Sequence, residues 1–322
     1  NAKYAIAMSN GTSSLHVALL ANGISPNDEV LVPALTFIAS ANAISYCNAI
    51  PHFVDSDIND LGIDYLKLRD YLKKITVIKN NFCFNKNTGR RIFAIMPVHV
   101  YGFIGKISLL KQIADEFKIL LIEDAAEALG SFSNGKHAGT FGECGCISFN
   151  GNKIITTGGG GVLITNNREL AKKARHLSST AKLNHMFKYE HDEIGYNYRM
   201  PAINAALGIS QLKRIDFFLK TKKVLRNKYM THFKDFKSLD FFLGPEECKP
   251  NFWLNSVVLK QEYIKFQNQI IKGLNLKGFG CRPIWAILNN LPPYISSPSM
   301  KLINAEKLQK SFVSIPSSAF LG

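Results

Sequence analysis

One lysine in this sequence stands in a setting suited to chemistry. Lys153 lies in Ser148-Phe-Asn-Gly-Asn-Lys153-Ile-Ile-Thr-Thr-Gly158-Gly-Gly-Gly161, a run with no other charge. A short apolar piece, Cys146 to Phe149, precedes it, and the apolar Val162 to Thr165 follows. An amine on flexible, close-packed backbone can approach an aldehyde, and desolvation makes it a Schiff-base nucleophile. A lone lysine in a turn is more often simply exposed. A second group is Glu123-Asp124-Ala-Ala-Glu127, after the apolar run Lys118 to Ile122. An aspartate at a strand's carboxyl end can pair with a protonated pyridine nitrogen and make that ring an electron sink. It can equally cap a helix. A third group is Ser9-Asn10-Gly11-Thr12-Ser13-Ser14, between a short strand and a helical pattern. Free N–H groups there suit a phosphate, or the serines and threonine are an ordinary N-cap. The Lys-Ser/Thr ending of a P-loop is missing. The four glycines precede a strand and not a helix, so the dinucleotide reading fails on order.

The elements that must position these groups alternate. Strands are predicted at Tyr4–Met8, Glu29–Val32, Pro51–Val54, Ile92–Met96 and Lys118–Ile122. Helices are predicted from Leu15, from Phe37 to about Cys47 with Thr36 as cap, from Asp64, and over Ile107–Phe117. Residues 79–91 read as a loop or hairpin insertion. Apolar strands alternating with helices argue a mainly parallel sheet flanked by helices, whose ligands gather at the carboxyl ends of the strands. Asp55, His99 and Asp124 fall there. Further on, a helix is expected from Glu169, irregular chain over 178–200, and helices over Ala202–Leu212 and from about Phe217 to Phe233. Phe252–Leu259 reads as a strand and Tyr263–Leu274 as a helix. The change of pattern places a large domain at 1–220 and a small one at 221–322.

At 322 residues the length suits that division. The net charge of +15 comes from lysines spread over the whole chain. No arginine-aromatic stripe accompanies them, so no nucleic-acid partner is expected. Val30–Val54 lacks Asp, Glu, Lys and Arg, but its prolines, asparagines and hydroxyls argue against a membrane helix. The six cysteines are scattered, and Cys144-Gly-Cys146 has no matching second pair, so free thiols in a reducing cytoplasm and no metal centre are expected. The start at Asn1, almost directly into a strand, suggests that an N-terminal segment precedes this sequence.

Taken together, the Ser-Asn-Gly-Thr turn, Glu-Asp-Ala-Ala-Glu, Ser-Phe-Asn-Gly-Asn-Lys and Gly195-Tyr-Asn-Tyr-Arg199 resemble the DegT/DnrJ/EryC1 family of pyridoxal-phosphate sugar-nucleotide aminotransferases. The resemblance runs from about residue 5 to 215, and more weakly to the end. It implies fold type I, with a small C-terminal α/β domain, and a homodimer with shared active sites. Lys153 would bind the cofactor's aldehyde and then shuttle a proton, and Asp124 would pair with the ring nitrogen. Gly11, Thr12, Ser13 and Ser148 would hold the phosphate, Phe37 would lie near the ring, and Asn197 would reach the phosphate across the dimer. Glu127 departs from the commoner glutamine. His99, Tyr101, His185, Arg199, Arg282 and Trp285 are candidate substrate contacts, although structural roles serve His99 and Trp285 equally well. Glu127, the four glycines, Thr88-Gly-Arg-Arg91 and Arg282-Pro-Ile-Trp285 look like the bacillosamine and legionaminic-acid branch. That branch implies amine transfer from L-glutamate to C4 of a UDP- or GDP-linked 4-keto-6-deoxy-N-acetylhexosamine. The alternatives are a 3-keto or perosamine-type aminotransferase, a sugar dehydratase (which would have histidine at position 153), and a cofactor-binding protein without turnover.

Overall fold

The computed structural model describes residues 2–322. Its centre is a seven-stranded sheet. The strands are β1 (Tyr4–Met8), β2 (Glu29–Pro33), β3 (Ile50–Val54), β4 (Ile92–Ile95), β5 (Leu120–Asp124), β6 (Cys144–Ser148) and β7 (Gly161–Thr165), in the spatial order β1-β7-β6-β5-β4-β2-β3. Pairings from β6 through β3 are parallel, whereas β7 runs antiparallel to both neighbours. The reason lies in the connections. Parallel neighbours need a long crossover, whereas antiparallel ones need only a turn. The chain from β6 to β7 holds no helix, and it closes at the pair Ser148–Gly161. This return places Lys153 at the same sheet end as Asp124. Gly161 is required there, because a Cβ would meet the Asn10 carbonyl at 2.5 Å.

The strands are buried on both faces. Val30 and Val32 of β2 enter one apolar cluster and Leu31 enters the other. Helices cover both faces, including α1 (Gly11–Ala21), α2 (Ala39–Tyr46), α3 (Tyr65–Ile75), α4 (Ile107–Glu116) and α5 (Arg168–Ser178). Then come α6 (Ala202–Leu212) and α7 (Ile215–Phe233). A second, antiparallel sheet orders Leu239–Phe241, Asn255–Leu259, Phe312–Ile315 and Arg282–Pro283, with α7 and α8 (Gln267–Leu276) against it. Between its strands the chain crosses back to the large sheet. The N–H of Phe53 on edge strand β3 donates to the Pro298 carbonyl, and the Met300 N–H donates to the Phe53 carbonyl.

Several boundaries differ from the sequence reading. Helix α1 starts at Gly11 and not Leu15, because the Asn10 side chain accepts the Ser13 N–H at 2.8 Å and caps it. Thr36 caps nothing: α2 begins at Ala39 without a side-chain cap, and the Thr36 hydroxyl is buried without a partner. The expected helix from Tyr263 is a 3₁₀ turn, Gln261–Phe266, followed by α8.

The insertion forms a hairpin, Thr76–Lys79 with Phe82–Asn85, and its return is tied under the sheet by Glu29. This buried carboxylate accepts hydrogen bonds from Asn85 Nδ2 at 2.9 Å and Thr88 Oγ1 at 2.6 Å. It lies 2.8 Å from His52 Nδ1, and the other His52 nitrogen lies 2.9 Å from the Tyr71 hydroxyl. Burial pushes the Glu29 pKa up, but hydrogen bonds from His52, Asn85 and Thr88 outweigh it and leave the pKa lowered. A lowered carboxyl pKa stabilises the fold above the ordinary carboxylate range, and that contribution disappears as pH falls through the folded value. Glu29→Gln should therefore flatten the acid limb of stability against pH in urea unfolding. His52→Leu should cost roughly 1–3 kcal/mol, as expected for a buried acceptor that loses a partner.

Candidate active site

Asp124 ends β5, Ser148 ends β6, and α1 begins just after β1, so all three groups meet at one end of the sheet. They border a cavity of about 350 Å³, with Gly11, Thr12, Phe37, Glu127, Lys153 and Trp285 also in its walls. Asp124 is buried. The Ser40 hydroxyl of α2 donates to its Oδ2 at 2.7 Å, and the Ala126 N–H donates to its Oδ1 at 3.0 Å. Burial nevertheless pushes its pKa up, against these bonds and the attraction of Lys153 and His99. Glu127 lies beside it. Its Oε2 accepts the Tyr101 N–H at 2.8 Å, and its Oε1 is 3.5 Å from Lys153 Nζ. Burial pushes this carboxyl up to about 7, with Lys153 the main opposing influence. Tyr101 holds a left-handed φ of 57° to make that bond, a conformation uncommon for a bulky residue.

Lys153 rises from a tight turn in which its own N–H donates to the Asn150 carbonyl at 3.0 Å. Its Nζ lies 3.9 Å from the ring centroid of Trp253. Trp253 is a wall that the sequence reading missed, since nothing in Asn251-Phe-Trp-Leu-Asn255 ties it to a lysine a hundred residues earlier. Ser40, the anchor of Asp124, and Asn10, the cap of α1, were missed as well. A serine following Thr36-Phe37 gives no local signal of a partner on β5.

Other expected contacts lie elsewhere. Ser13 is buried, and its hydroxyl donates to Asn10 Oδ1 at 3.0 Å, so it serves the helix cap and not the cavity wall. His99 is buried behind the site, 2.9 Å from Glu123, whose carboxylate also accepts the N–H groups of Gly139, Phe141 and Gly142. Its place is structural. Tyr101 and Arg282 line an adjoining cavity of about 750 Å³, which shares Trp253 and Trp285 with the first. The Tyr101 hydroxyl accepts from Ser314 at 3.0 Å. His185, Asn197 and Arg199 are exposed on the irregular stretch before α6, outside the cavity of their own chain. Among the described residues His176, Asp192 and Glu193 could offer three metal-ligand atoms, but they lie at the surface and Lys173 pairs with Glu193.

The cavity accepts pyridoxal phosphate on its own chemistry. Among the described residues no cation is salt-bridged to the buried Asp124, and a protonated pyridine nitrogen would supply the countercharge. Thr36 is one of the residues around the cavity, and its buried hydroxyl lacks a partner. The N-terminus of α1, with Ser148 beside Gly11, makes an anion seat at one end, and Lys153 offers an amine. This fold and site define a pyridoxal-phosphate-dependent transferase of fold type I.

The model of the DegT/DnrJ/EryC1/StrS aminotransferase family matches residues 1–322, and the chain belongs to that family of pyridoxal-phosphate-dependent sugar aminotransferases. It is 37% identical over 327 residues to a GDP-perosamine synthase of Caulobacter vibrioides, covering 99% of this chain and 82% of the relative. It is 38% identical over 318 residues to one of Escherichia coli O157:H7, covering 98% and 80%. Among solved structures it resembles Helicobacter pylori PseC, an aminotransferase involved in the biosynthesis of pseudoaminic acid. That match has a TM-score of 0.88 and 25% identity, over 100% of this chain and 83% of the other.

Glu127→Gln tests the electrostatics. A raised carboxyl pKa favours the folded state below the unfolded value of 4.5, and that contribution is lost as pH rises through about 7. The cofactor-free protein should lose on the order of 3 kcal/mol over that window from this group. The glutamine variant should show a much shallower decline in melting temperature. Asp124 has the same sign and keeps some slope. An unchanged slope would refute the assignment.

Proposed function

We propose that this chain transfers the amine of L-glutamate to the C4 keto group of a GDP-linked 4-keto-6-deoxyhexose, giving a perosamine-type 4-amino sugar. The observation that carries the reading is the convergence of Lys153 and the buried Asp124 on one cavity at the carboxyl end of the sheet. The guanosine and perosamine parts are supported by the likeness to the two GDP-perosamine synthases above. They favour the perosamine alternative over the N-acetylhexosamine branch. Two features that leaned toward that branch have structural work instead. Thr88 and Arg90 meet Glu29, Arg91 meets Asp28, and Gly161 packs on Asn10. Of the other features, Glu127 and Trp285 line the cavity of Lys153, and Arg282 with Trp285 lines the adjoining one, where they would meet the nucleotide-linked sugar.

Bound there, pyridoxal phosphate would supply an aldehyde group and, in its protonated ring, an electron sink. Asp124 holds the ring nitrogen's proton in place, and Ser40 and Ala126 fix that carboxylate. Gly11, Thr12 and Ser148 hold the phosphate. Lys153 takes and returns the proton at the reacting carbon, and Glu127 sits within reach of its amine. Phe37 borders the ring. The enzyme works as a homodimer. Exposed apolar side chains, among them Phe37, Tyr46, Phe187, Tyr189 and Ile203, are available to a second copy, whose Asn197 would complete the phosphate site. Among the described residues no helix is long and apolar enough to cross a membrane. Six buried, unpaired cysteines support a cytoplasmic location.

The experiment is mass spectrometry of product mixtures. The holoenzyme would receive L-glutamate and, separately, UDP- and GDP-linked 4-keto-6-deoxy sugars with hydroxyl or acetamido at C2. Amine should enter the GDP-linked 2-hydroxy sugar, and Lys153→Ala should abolish it. Transfer only to an N-acetylated sugar would overturn the perosamine-type reading.

A further inference from the structure

Trp253 reaches Lys153 from a distant part of the chain, and its neighbours leave it little freedom. Its N–H donates to Asn251 Oδ1 at 2.9 Å, and its indole N–H donates to the Asn152 carbonyl at 2.6 Å. Its own carbonyl accepts from Lys222 Nζ at 3.1 Å, a buried ammonium that also donates to the Ser317 carbonyl. Asn251 is stitched in turn to the segment that carries Glu127. Its Nδ2 donates to the carbonyls of Glu127 at 2.7 Å and Leu129 at 2.9 Å, and its N–H donates to Ser131 Oγ at 3.0 Å. Gly102 makes room for it, since a Cβ there would meet Asn251 Oδ1 at 1.9 Å. One rigid construction therefore sets both walls around the amine. The indole ring lies 3.9 Å from Lys153 Nζ, and Glu127 Oε1 lies 3.5 Å from it.

An indole face is the best aromatic surface for a cation. We infer that Trp253 is a positioning residue, whose indole face forms with Glu127 a seat for the Lys153 ammonium whenever this lysine is free of the cofactor. The inference rests on the proposed transamination, in which Lys153 must leave the cofactor and wait within reach of the reacting carbon. An unheld side chain would wander through rotamers toward solvent. The seat keeps the ammonium beside the cavity, and a tenfold spread in rate needs only about 1.4 kcal/mol.

The direct test uses cofactor-free protein carrying ¹³C at the lysine ε-carbons, with the Lys153 signal assigned by its loss in Lys153→Arg. The ε-protons should be displaced upfield by the indole ring current. Trp253→Phe should keep part of that displacement and Trp253→Leu none. In single-turnover amine transfer to the keto sugar, Trp253→Leu should be slower by roughly 2- to 30-fold, the range of cation–π strengths. Substrate KM should hold, and Trp253→Phe should lie between. An unshifted Lys153 signal in the wild-type protein would overturn the seat. So would a Trp253→Phe signal equal to that of unfolded protein, a readout that serves even where the leucine variant fails to fold. A shifted signal with no amine transfer would uphold the seat and defeat the substrate reading instead.

Discussion

Asp124 and Glu127 are buried side by side at the end of β5, and Lys153 is the cation that lines their cavity. Taking a carboxyl group out of water raises its pKa unless a cation or strong donors compensate. Here the donors are Ser40, the N–H groups of Ala126 and Tyr101, and the amine, and both carboxyls still stay raised. Much of the surrounding structure exists to hold these groups in place. Tyr101 takes a left-handed backbone conformation to reach Glu127, Ser40 is brought by α2, and Asn251 binds the carbonyls that follow. Such an arrangement is poised for a ligand that carries positive charge at one point and negative charge at another.

The sheet explains how the amine comes to face the acids. Parallel strands joined by helices bring their carboxyl ends to one edge, so Asp124 and Ser148 arrive there together with the start of α1. The antiparallel β7 departs from this pattern, and its departure matters. It allows the chain to turn back directly after β6, so that a loop, and not a helix, holds Lys153 above the sheet. Gly160 and Gly161 serve close packing in this return.

The C-terminal part of the chain closes the site. Trp253, Trp285 and Arg282 come from the smaller sheet and its connections, and they extend the cavity beyond the amine. The crossing-back of residues near 298–300 to β3 ties this part to the large sheet's edge. The walls around Lys153 thus draw on distant parts of the sequence.

Much was legible in the sequence alone. Apolar strands alternating with helical patterns gave the layered architecture, because strand burial on both faces leaves a continuous apolar run that local reading detects. Lys153, Asp124 and the turn before α1 were legible because glycine, charge and strand ends mark them locally. Thr36 and Ser13 were misjudged, and His99 stayed open between two roles, because a hydroxyl or imidazole looks the same whether it caps, braces or binds. Which of these it does depends on what the fold brings against it. Ser40 and Trp253 were not legible at all, since their partners lie far along the chain and contact between them is made only by packing. The sequence by itself therefore determined which elements form and which residues could do chemistry. Only the tertiary structure decided which of them share a cavity, because burial, and with it the electrostatics of every charged group here, is a property of the packed chain.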